Sequence, residues 1–421
     1  MIETARIDTA RIDLTEHIRA GDGIWWGQAG AEPTVLVHAL LDQVTSIGPV
    51  TAFVGLSWDR RLTRHLPEQL SLLSYGALGE LRALSKSGRL DVVPCNLSDL
   101  PRLFAEGALP TDVGFVQVSP PDADGMCSLG TGVDYVADAV DHTRVLIAEI
   151  NARMPATAGS ARIPLSRFAA VIETDRPLGE APAADPSDVE LAIAAHVAGL
   201  IEDGDTIQLG VGALPTAVLD QLRTHRDLGI HSGMISDGVA DLVDAGVITG
   251  ARKEIDTGLV VTGAALGSER LYRRLEALPV LFRPVSYTHA ARTLAGLRTL
   301  VSINSATEVD LTGQVNAETR RGHYVGALGG QADFSRAASA TGARSIIALR
   351  SRSGGHSTIV PSIETVTTSR ADVDFVVTEH GIAALRGASL AVRARRLAEI
   401  AAPEFREDLD RAAGRMMELT A

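Results

Sequence analysis

The chain has 421 residues, of which 45% are hydrophobic, and its formal net charge is −13 at pH 7. The length predicts two to three globular domains, and the apolar content is enough to give each domain a core. The acidic balance argues against a nucleic-acid partner or an anionic membrane surface. No apolar run reaches the roughly 18 residues of a membrane span, and the first residues lack a signal-peptide pattern. We therefore expect a cytoplasmic protein.

Short apolar strands alternate with amphipathic helices along the chain. This alternation is typical of mostly parallel sheets covered by helices, so it predicts an α/β fold. In chain order, the predicted strands are Ile24–Trp26, Thr51–Leu56, Val113–Val118, Arg144–Ile150, Thr206–Leu209, Ser345–Leu349 and Phe375–Thr378. The predicted helices are Thr34–Gln43, Thr216–His225, Arg270–Leu275 and Leu390–Glu399.

Two parts of the chain resemble each other in sequence. The segment Ile18–Ile24 reads IRAGDGI, and Ile201–Ile207 reads IEDGDTI; glycines and then a Pro-Thr pair follow both. The segments Arg144–Ala148 and Arg344–Ala348 form a second matching pair in the same order. We infer two homologous open α/β domains, 1–176 and 189–421, joined by a proline-rich linker at 177–188.

Two glycine-rich turns are candidate ligand-binding loops. Gly210, Val211 and Gly212 lie between a predicted strand and a predicted helix. Without bulky side chains, backbone N–H groups there can approach an oxyanion or phosphate. The pair Gly329–Gly330 has the same property, although either turn has a purely structural interpretation as well. The two cysteines, Cys95 and Cys127, fit neither a disulfide framework nor a metal-ligand spacing, so we expect no metal.

Four longer motifs resemble those of the acetyl-CoA hydrolase/transferase family, in the branch of 4-hydroxybutyrate CoA-transferase. They are SPPDADGMCSLG at Ser119–Gly130, VSINSATEVDLTGQV at Val301–Val315, GGQADF at Gly329–Phe334, and the segment from Thr367 to Gly381 that begins TTSRAD and ends TEHG. The resemblance runs in order from about residue 18 to about residue 409.

The resemblance implies two related domains of the class I CoA-transferase type, with the active site between them. It also implies coenzyme A as part of an acyl-CoA substrate, a small-molecule acceptor and a homodimer. By position, Val211 and Gly212 resemble part of the oxyanion hole. Gly329, Gly330 and Gln331 resemble the loop that faces the thioester and CoA.

The sequence departs from the family at the nucleophile. The family has a catalytic glutamate after a His-Ser or His-Thr pair, but here His231-Ser232 is followed by Gly233. His289 stands where the family has an asparagine. Arg350 and Arg352 lie in a segment where the family usually has a proline followed by smaller residues. Loss of the carboxylate is expected to leave space between the thioester and the acceptor.

The main hypothesis is direct acyl transfer from an acyl-CoA thioester to water or another nucleophile, without a glutamyl-CoA intermediate. His289 would be the general base near neutral pH; the alternative is a histidine on a surface loop. Ser232 is a second candidate nucleophile, although its pair with His231 is ordinary for the family.

Two other functions remain open. A conventional acyl-CoA:carboxylate CoA-transferase could use another glutamate, although Glu308 and Glu379 lie in motifs typical of the family, so neither is an obvious substitute. An inactive CoA-binding homologue would bind CoA without turnover.

Overall fold

The computed structural model describes residues 5–7, 12–182 and 185–418. They pack into two compact units. Unit 1 contains the chain up to residue 181 together with 261–288 and 323–329; unit 2 contains 182–260, 289–322 and the chain from 330 onward. The division after residue 181 falls inside the predicted linker, of which residues 183 and 184 lie outside the described residues. The predicted domain boundaries stay a prediction. The two compact units differ from the predicted domains in one respect: residues 261–288 and 323–329, which lie within the predicted domain 189–421, belong to unit 1.

The helices and sheet strands are numbered here in chain order. The strands of the two large sheets are β1 (Ala5–Ile7), β2 (Gly23–Trp26), β3 (Val50–Phe53), β4 (Leu70–Ser74), β5 (Asp91–Val92), β6 (Val113–Val118), β7 (Val145–Asn151), β8 (Phe168–Thr174), β9 (Thr206–Leu209), β10 (Gly229–Ile230), β11 (Leu300–Ser305), β12 (Arg344–Ala348), β13 (Phe375–Thr378) and β14 (Gly381–Ala384). The helices are α1 (Thr34–Ile47), α2 (Arg60–Arg64), α3 (Leu81–Lys86), α4 (Leu100–Ala105), α5 (Asp134–Val140), α6 (Asp188–Ala198), α7 (Ala213–Gln221), α8 (Asp237–Asp244), α9 (Glu269–Tyr272), α10 (Val285–Thr288), α11 (Ala291–Leu294), α12 (Gln331–Thr341), α13 (Leu390–Glu399) and α14 (Arg406–Glu418).

Short strands and 3-10 helices complete the described secondary structure. The strands are Met126–Ser128, Arg162–Pro164, Met234–Ile235, Val260–Thr262, Ala264–Ala265, Val280–Phe282, Glu308–Asp310, Val315–Asn316, Thr319–Arg320, His323–Tyr324, Arg352–Ser353, His356–Ser357 and Ile359–Val360. The 3-10 helices are Leu14–Glu16, Ala29–Ala31, Leu97–Asp99, Leu165–Arg167, Leu222–Thr224, Arg370–Asp372 and Pro403–Phe405. No helix in the described part of the chain is long and apolar enough to cross a membrane.

Unit 1 is built on a parallel sheet of eight described strands, in the order β1-β8-β7-β6-β2-β3-β4-β5. Every residue of the central strand β6 is buried, as expected for a strand covered on both faces. Helix α1 contributes Leu36, Leu40 and Val44 to the core, which lie one turn apart on the same face.

Unit 2 has a sheet of six described strands, in the order β10-β9-β11-β12-β13-β14, parallel except for the last pair. The chain passes from β9 to β10 on one side and continues with β11 on the other. The carboxyl ends of β9 and β11 therefore form a topological switch point, where ligands of open α/β sheets bind. The predicted α/β fold with parallel sheets is confirmed.

Candidate functional site

The turn after β9 presents bare backbone at the switch point of unit 2. Its residue Gly212 has φ +120°, a conformation that favours glycine, and α7 begins directly after it. A Cβ atom built on Gly210 or Gly212 would meet no atom within 4 Å, so both glycines face open space. Backbone N–H groups at the amino end of α7 can bind a negatively charged oxygen there.

A polar cluster that was not predicted lies at the ends of β9 and β11. The side-chain amide oxygen of Gln208, Oε1, accepts hydrogen bonds from Ser302 Oγ and Asn304 Nδ2, both at 3.0 Å, and Asn304 Nδ2 also donates to Ser302 Oγ at 2.8 Å. These contacts cross-link neighbouring strands just before the glycine turn begins. The sequence signal that could have predicted this cluster is the presence of polar residues at the ends of apolar strands.

The segment that follows β10 is buried and held by the neighbouring strand. The His231 backbone N–H donates to the carbonyl of Ile207 at 3.1 Å, and the Ser232 hydroxyl donates to the carbonyl of Leu209 at 2.9 Å. Ser232 is fully buried. Because its hydroxyl proton is committed to a backbone carbonyl, Ser232 fixes the turn and is poorly placed to attack a substrate.

Lys253 holds the segment after β10 in place through hydrogen bonds to backbone carbonyls, a role that was not predicted. Its Nζ donates to the carbonyls of Ile230 and Leu259 at 3.0 and 2.7 Å. A Cβ on Gly229 would lie 2.5 Å from its side-chain Cγ, so the lysine stem packs where a larger residue would stand. Burial lowers the pKa of Lys253 to about 8.

His289 lies directly beside Gly233. A Cβ on Gly233 would be 2.9 Å from His289 Cε1 and 3.0 Å from Nε2. The expected space next to the missing carboxylate is therefore filled by an imidazole, which corrects the expectation of an empty gap. His289 is only 3% exposed, so the alternative interpretation as a surface-loop histidine is wrong.

The His289 ring also contacts the start of α12. A Cβ on Gly330 would be 2.4 Å from His289 Nε2, and the Phe334 ring packs against the imidazole with centroids 4.8 Å apart at an angle of 63°. Gln331 is buried, and its Nε2 donates to Thr368 Oγ1 at 3.2 Å. Gly329 is grouped with unit 1, where its carbonyl accepts from the Leu97 backbone N–H at 2.9 Å.

The buried position changes the acid–base character of His289. Burial and, to a smaller extent, the charge that His231 can carry lower the pKa of His289 to about 3. This differs from the expected base near neutral pH, because the ring is uncharged over the whole physiological range. It can accept a proton from a nucleophile, but its protonated form needs a nearby negative charge.

The two arginines that depart from the family pattern, Arg350 and Arg352, both form ion pairs. Arg350 Nε lies 2.6 Å from the Glu190 carboxylate, and Arg352 Nη1 lies 3.1 Å from Glu404. The Glu379 carboxylate accepts from the Ser351 backbone N–H at 2.9 Å and from its hydroxyl at 2.6 Å. The paired arginines and Glu379 therefore have structural partners.

A cavity of about 400 Å³ lies in unit 2. Its wall includes apolar residues such as Ile359 and Phe405, two exposed arginines, Arg320 and Arg321, and two carboxylates, Glu308 and Asp408. Such a lining has an apolar part and polar groups of both charges. Among the residues that the structure describes, no group of three or more His, Cys, Asp or Glu side chains could hold a metal ion.

Comparison with known proteins identifies relatives of the whole chain. Residues 9–178 match the model of the acetyl-CoA hydrolase/transferase N-terminal domain, and residues 267–413 match that of the C-terminal domain. The 4-hydroxybutyrate coenzyme A transferase of Clostridium kluyveri is 43% identical over 79% of each chain. The succinyl-CoA:cyclohexane-1-carboxylate CoA transferase of Geobacter metallireducens is 36% identical over 96% of this chain and 94% of that protein. The crystal structure of RipA from Yersinia pestis superposes with a TM-score of 0.90 at 35% identity, covering 96% of each chain.

Proposed function

Because the chain belongs to the acetyl-CoA hydrolase/transferase family, we propose that it transfers the acyl group of an acyl-CoA directly to water or another neutral nucleophile. No glutamyl-CoA intermediate forms in this scheme. The observation that carries the proposal is the pair Gly233 and His289: glycine has no nucleophile, and an uncharged imidazole lies against it.

The chemistry needs one nucleophile and one proton acceptor. The oxygen of the nucleophile forms a bond to the thioester carbonyl carbon, and the carbon–sulfur bond then breaks. Backbone N–H groups at Val211 and Gly212 stabilise the oxyanion, a contribution of about 3–4 kcal/mol per donor in comparable sites. The proton of the nucleophile passes to His289 and then to the leaving CoA thiolate.

The low pKa of His289 is compatible with this role. The ring is uncharged at physiological pH and so can accept a proton; a pKa of about 3 makes it a weak base, and the developing oxyanion supplies the negative charge that stabilises the imidazolium. Burial also keeps the ring fixed beside Gly233. We propose that His289 orients the nucleophile and takes its proton late, as the new bond forms.

The cavity of unit 2 would receive the phosphate-bearing end of CoA on the side of its two arginines, away from Glu308 and Asp408. Its arginines, Arg320 and Arg321, are suited to phosphate oxygens, and the apolar wall suits the remainder of the cofactor. No metal takes part in the proposal. The predicted cytoplasmic location and homodimer stay predictions.

A conventional transferase with a relocated glutamate is less well supported. Glu379 is held by two hydrogen bonds from Ser351. Glu308 Oε2 accepts a hydrogen bond from Asn316 Nδ2 at 3.4 Å in the wall of the cavity of unit 2. An inactive CoA-binding homologue would retain the cavity and lack turnover.

Release of CoA thiol from a panel of acyl-CoAs tests the proposal. We expect release with at least one acyl-CoA, and a fall of about 10²–10⁴ in kcat/KM for His289→Asn. The matched control is His196→Asn, in the last turn of helix α6. Absence of thiol release with every acyl-CoA and acceptor, while CoA still binds, would support the inactive homologue instead.

A further inference from the structure

One imidazole ring is packed between two glycines that are far apart in sequence. A Cβ on Gly233 would meet His289 Cε1 at 2.9 Å, and a Cβ on Gly330 would meet Nε2 at 2.4 Å and Cδ2 at 2.7 Å. Contacts below 3.0 Å do not occur in folded proteins without displacement of one partner. In this position the His289 ring leaves no room for a Cβ atom at either residue unless the ring or the backbone shifts.

The ring has little freedom to move away. It is 3% exposed, and Phe334 packs edge-on against it at a centroid distance of 4.8 Å. Phe334 is itself 1% exposed, so a shift of the histidine must displace a second buried ring. Close packing of this kind transmits the change at one position to its neighbours.

We propose that His289 hinders a carboxylate at the position beside Gly233, so that efficient catalysis by a carboxylate requires changes at positions 233 and 289 together. The proposal rests on the proposed function for the direct route in the natural protein. It extends that function, because His289 as well as Gly233 then determines whether the acyl group is transferred directly or through a carboxylate nucleophile.

Electrostatics act in the same direction as packing. A carboxylate introduced at position 233 would lie against His289 in a buried site. The negative charge would stabilise the protonated ring, and the two groups would form an ion pair. A carboxylate paired in this way is a weaker nucleophile, so a ring that moved aside would still hinder the reaction.

Three variants test the coupling: Gly233→Glu, His289→Asn and the double variant. Each is incubated with acetyl-CoA, and the peptide that contains position 233 is measured by mass spectrometry. In the transferase route the carboxylate oxygen attacks the thioester carbon and displaces CoA thiolate, giving an anhydride. The thiolate then attacks the glutamyl carbonyl, which releases acetate and leaves CoA bound as a glutamyl thioester.

We expect the CoA adduct in the double variant and at least a tenfold lower yield in Gly233→Glu alone. An equal yield in the two variants would overturn the proposal, and so would a folded, CoA-binding double variant that forms no adduct. Formation of the adduct in the variants does not depend on whether the natural protein releases thiol. The thiol-release assay therefore tests the proposed function, and the adduct tests this inference.

A stability measurement keeps the inference testable if the double variant does not fold. The smaller exchange Gly233→Ala is made in the natural protein and in His289→Asn, and the melting temperatures are compared. We expect alanine to lower the melting temperature by several degrees in the natural protein and by much less beside asparagine. Equal shifts in the two backgrounds would contradict the coupling.

Discussion

The Ser57 hydroxyl lies 2.8 and 3.0 Å from the two oxygens of the buried Glu32 carboxyl group. Burial raises the pKa of Glu32 to about 8, against the opposing effect of the Ser57 hydrogen bond. A carboxyl group with a raised pKa is protonated in the folded protein but ionised in the unfolded chain between its ordinary pKa and the raised one. Its contribution to stability is thus complete below about pH 4.5 and is lost as the pH rises towards 8.

The variant Glu32→Gln removes this titration and keeps the shape of the side chain. We expect the decline in the free energy of unfolding between pH 5 and pH 8 to become smaller by a few kcal/mol, since each unit of pKa shift corresponds to about 1.4 kcal/mol. Denaturant unfolding of the protein at pH 5 and pH 8 measures the two free energies of unfolding. Glu68→Gln, at an exposed position, is the control and is expected to leave the pH dependence unchanged. The same decline in both variants would show that Glu32 is not the group responsible.

The second prediction concerns the pH profile of acyl-CoA turnover. Since the pKa of His289 is lowered to about 3, the ring remains uncharged from pH 5 to pH 8. The profile of kcat/KM should lack the rise near pH 6.5 that an ordinary catalytic histidine produces. An inflection near pH 6.5 that disappears in His289→Asn would contradict the assignment of an uncharged ring.

The third prediction separates folding from catalysis at the glycine turn. In Gly210→Ala the new methyl group meets no atom of the protein within 4 Å, so stability should change by less than about 1 kcal/mol. The methyl group would, however, project into the open space where the substrate oxygen is proposed to bind. We expect kcat to fall at least tenfold while the melting temperature is nearly unchanged. Full activity of this variant would place the oxyanion site elsewhere.

The fourth prediction concerns the buried amine behind the His231–Gly233 segment. Lys253→Met keeps the apolar stem but leaves the carbonyls of Ile230 and Leu259 without their donor. Each unsatisfied buried group costs about 1–3 kcal/mol, and the segment beside His289 should also lose its position. Thermal unfolding and kcat together measure this. The other lysine, Lys86, is exposed, and Lys86→Met should change neither quantity.

Much of the fold was predictable because local patterns and tertiary packing agree. The strands Val113–Val118, Thr206–Leu209 and Phe375–Thr378 and the helix Leu390–Glu399 have the predicted bounds. Their apolar residues are buried at the spacing that each element requires. The predicted helix Thr216–His225 instead begins at Ala213, because Gly212 ends the preceding turn. The grouping of 261–288 with unit 1 depends on long-range packing, for which the sequence has no local signal.

The candidate site was predictable in composition and much less so in geometry. The glycine turn at Gly210–Gly212 and the absence of a side chain at Gly233 are readable from the sequence. The contact between His289 and Gly233 joins positions 56 residues apart (289 − 233) and is set by the fold alone. Burial also lowers the pKa of His289 far below the expected value near neutral pH, and the sequence could not predict this because desolvation cannot be inferred from a lone histidine in a loop.

The most direct test of the direct acyl transfer is a single turnover in isotope-labelled water with enzyme in excess over acyl-CoA. Attack by water on the thioester places one labelled oxygen in the released acid and none in the protein. In a glutamyl-CoA route the released acid takes its oxygen from the glutamate carboxylate and carries no label. Labelled water then hydrolyses the glutamyl-CoA thioester, which places the label in the glutamate side chain of the protein. We predict label in the free acid. Label in a glutamate-containing peptide would contradict the account.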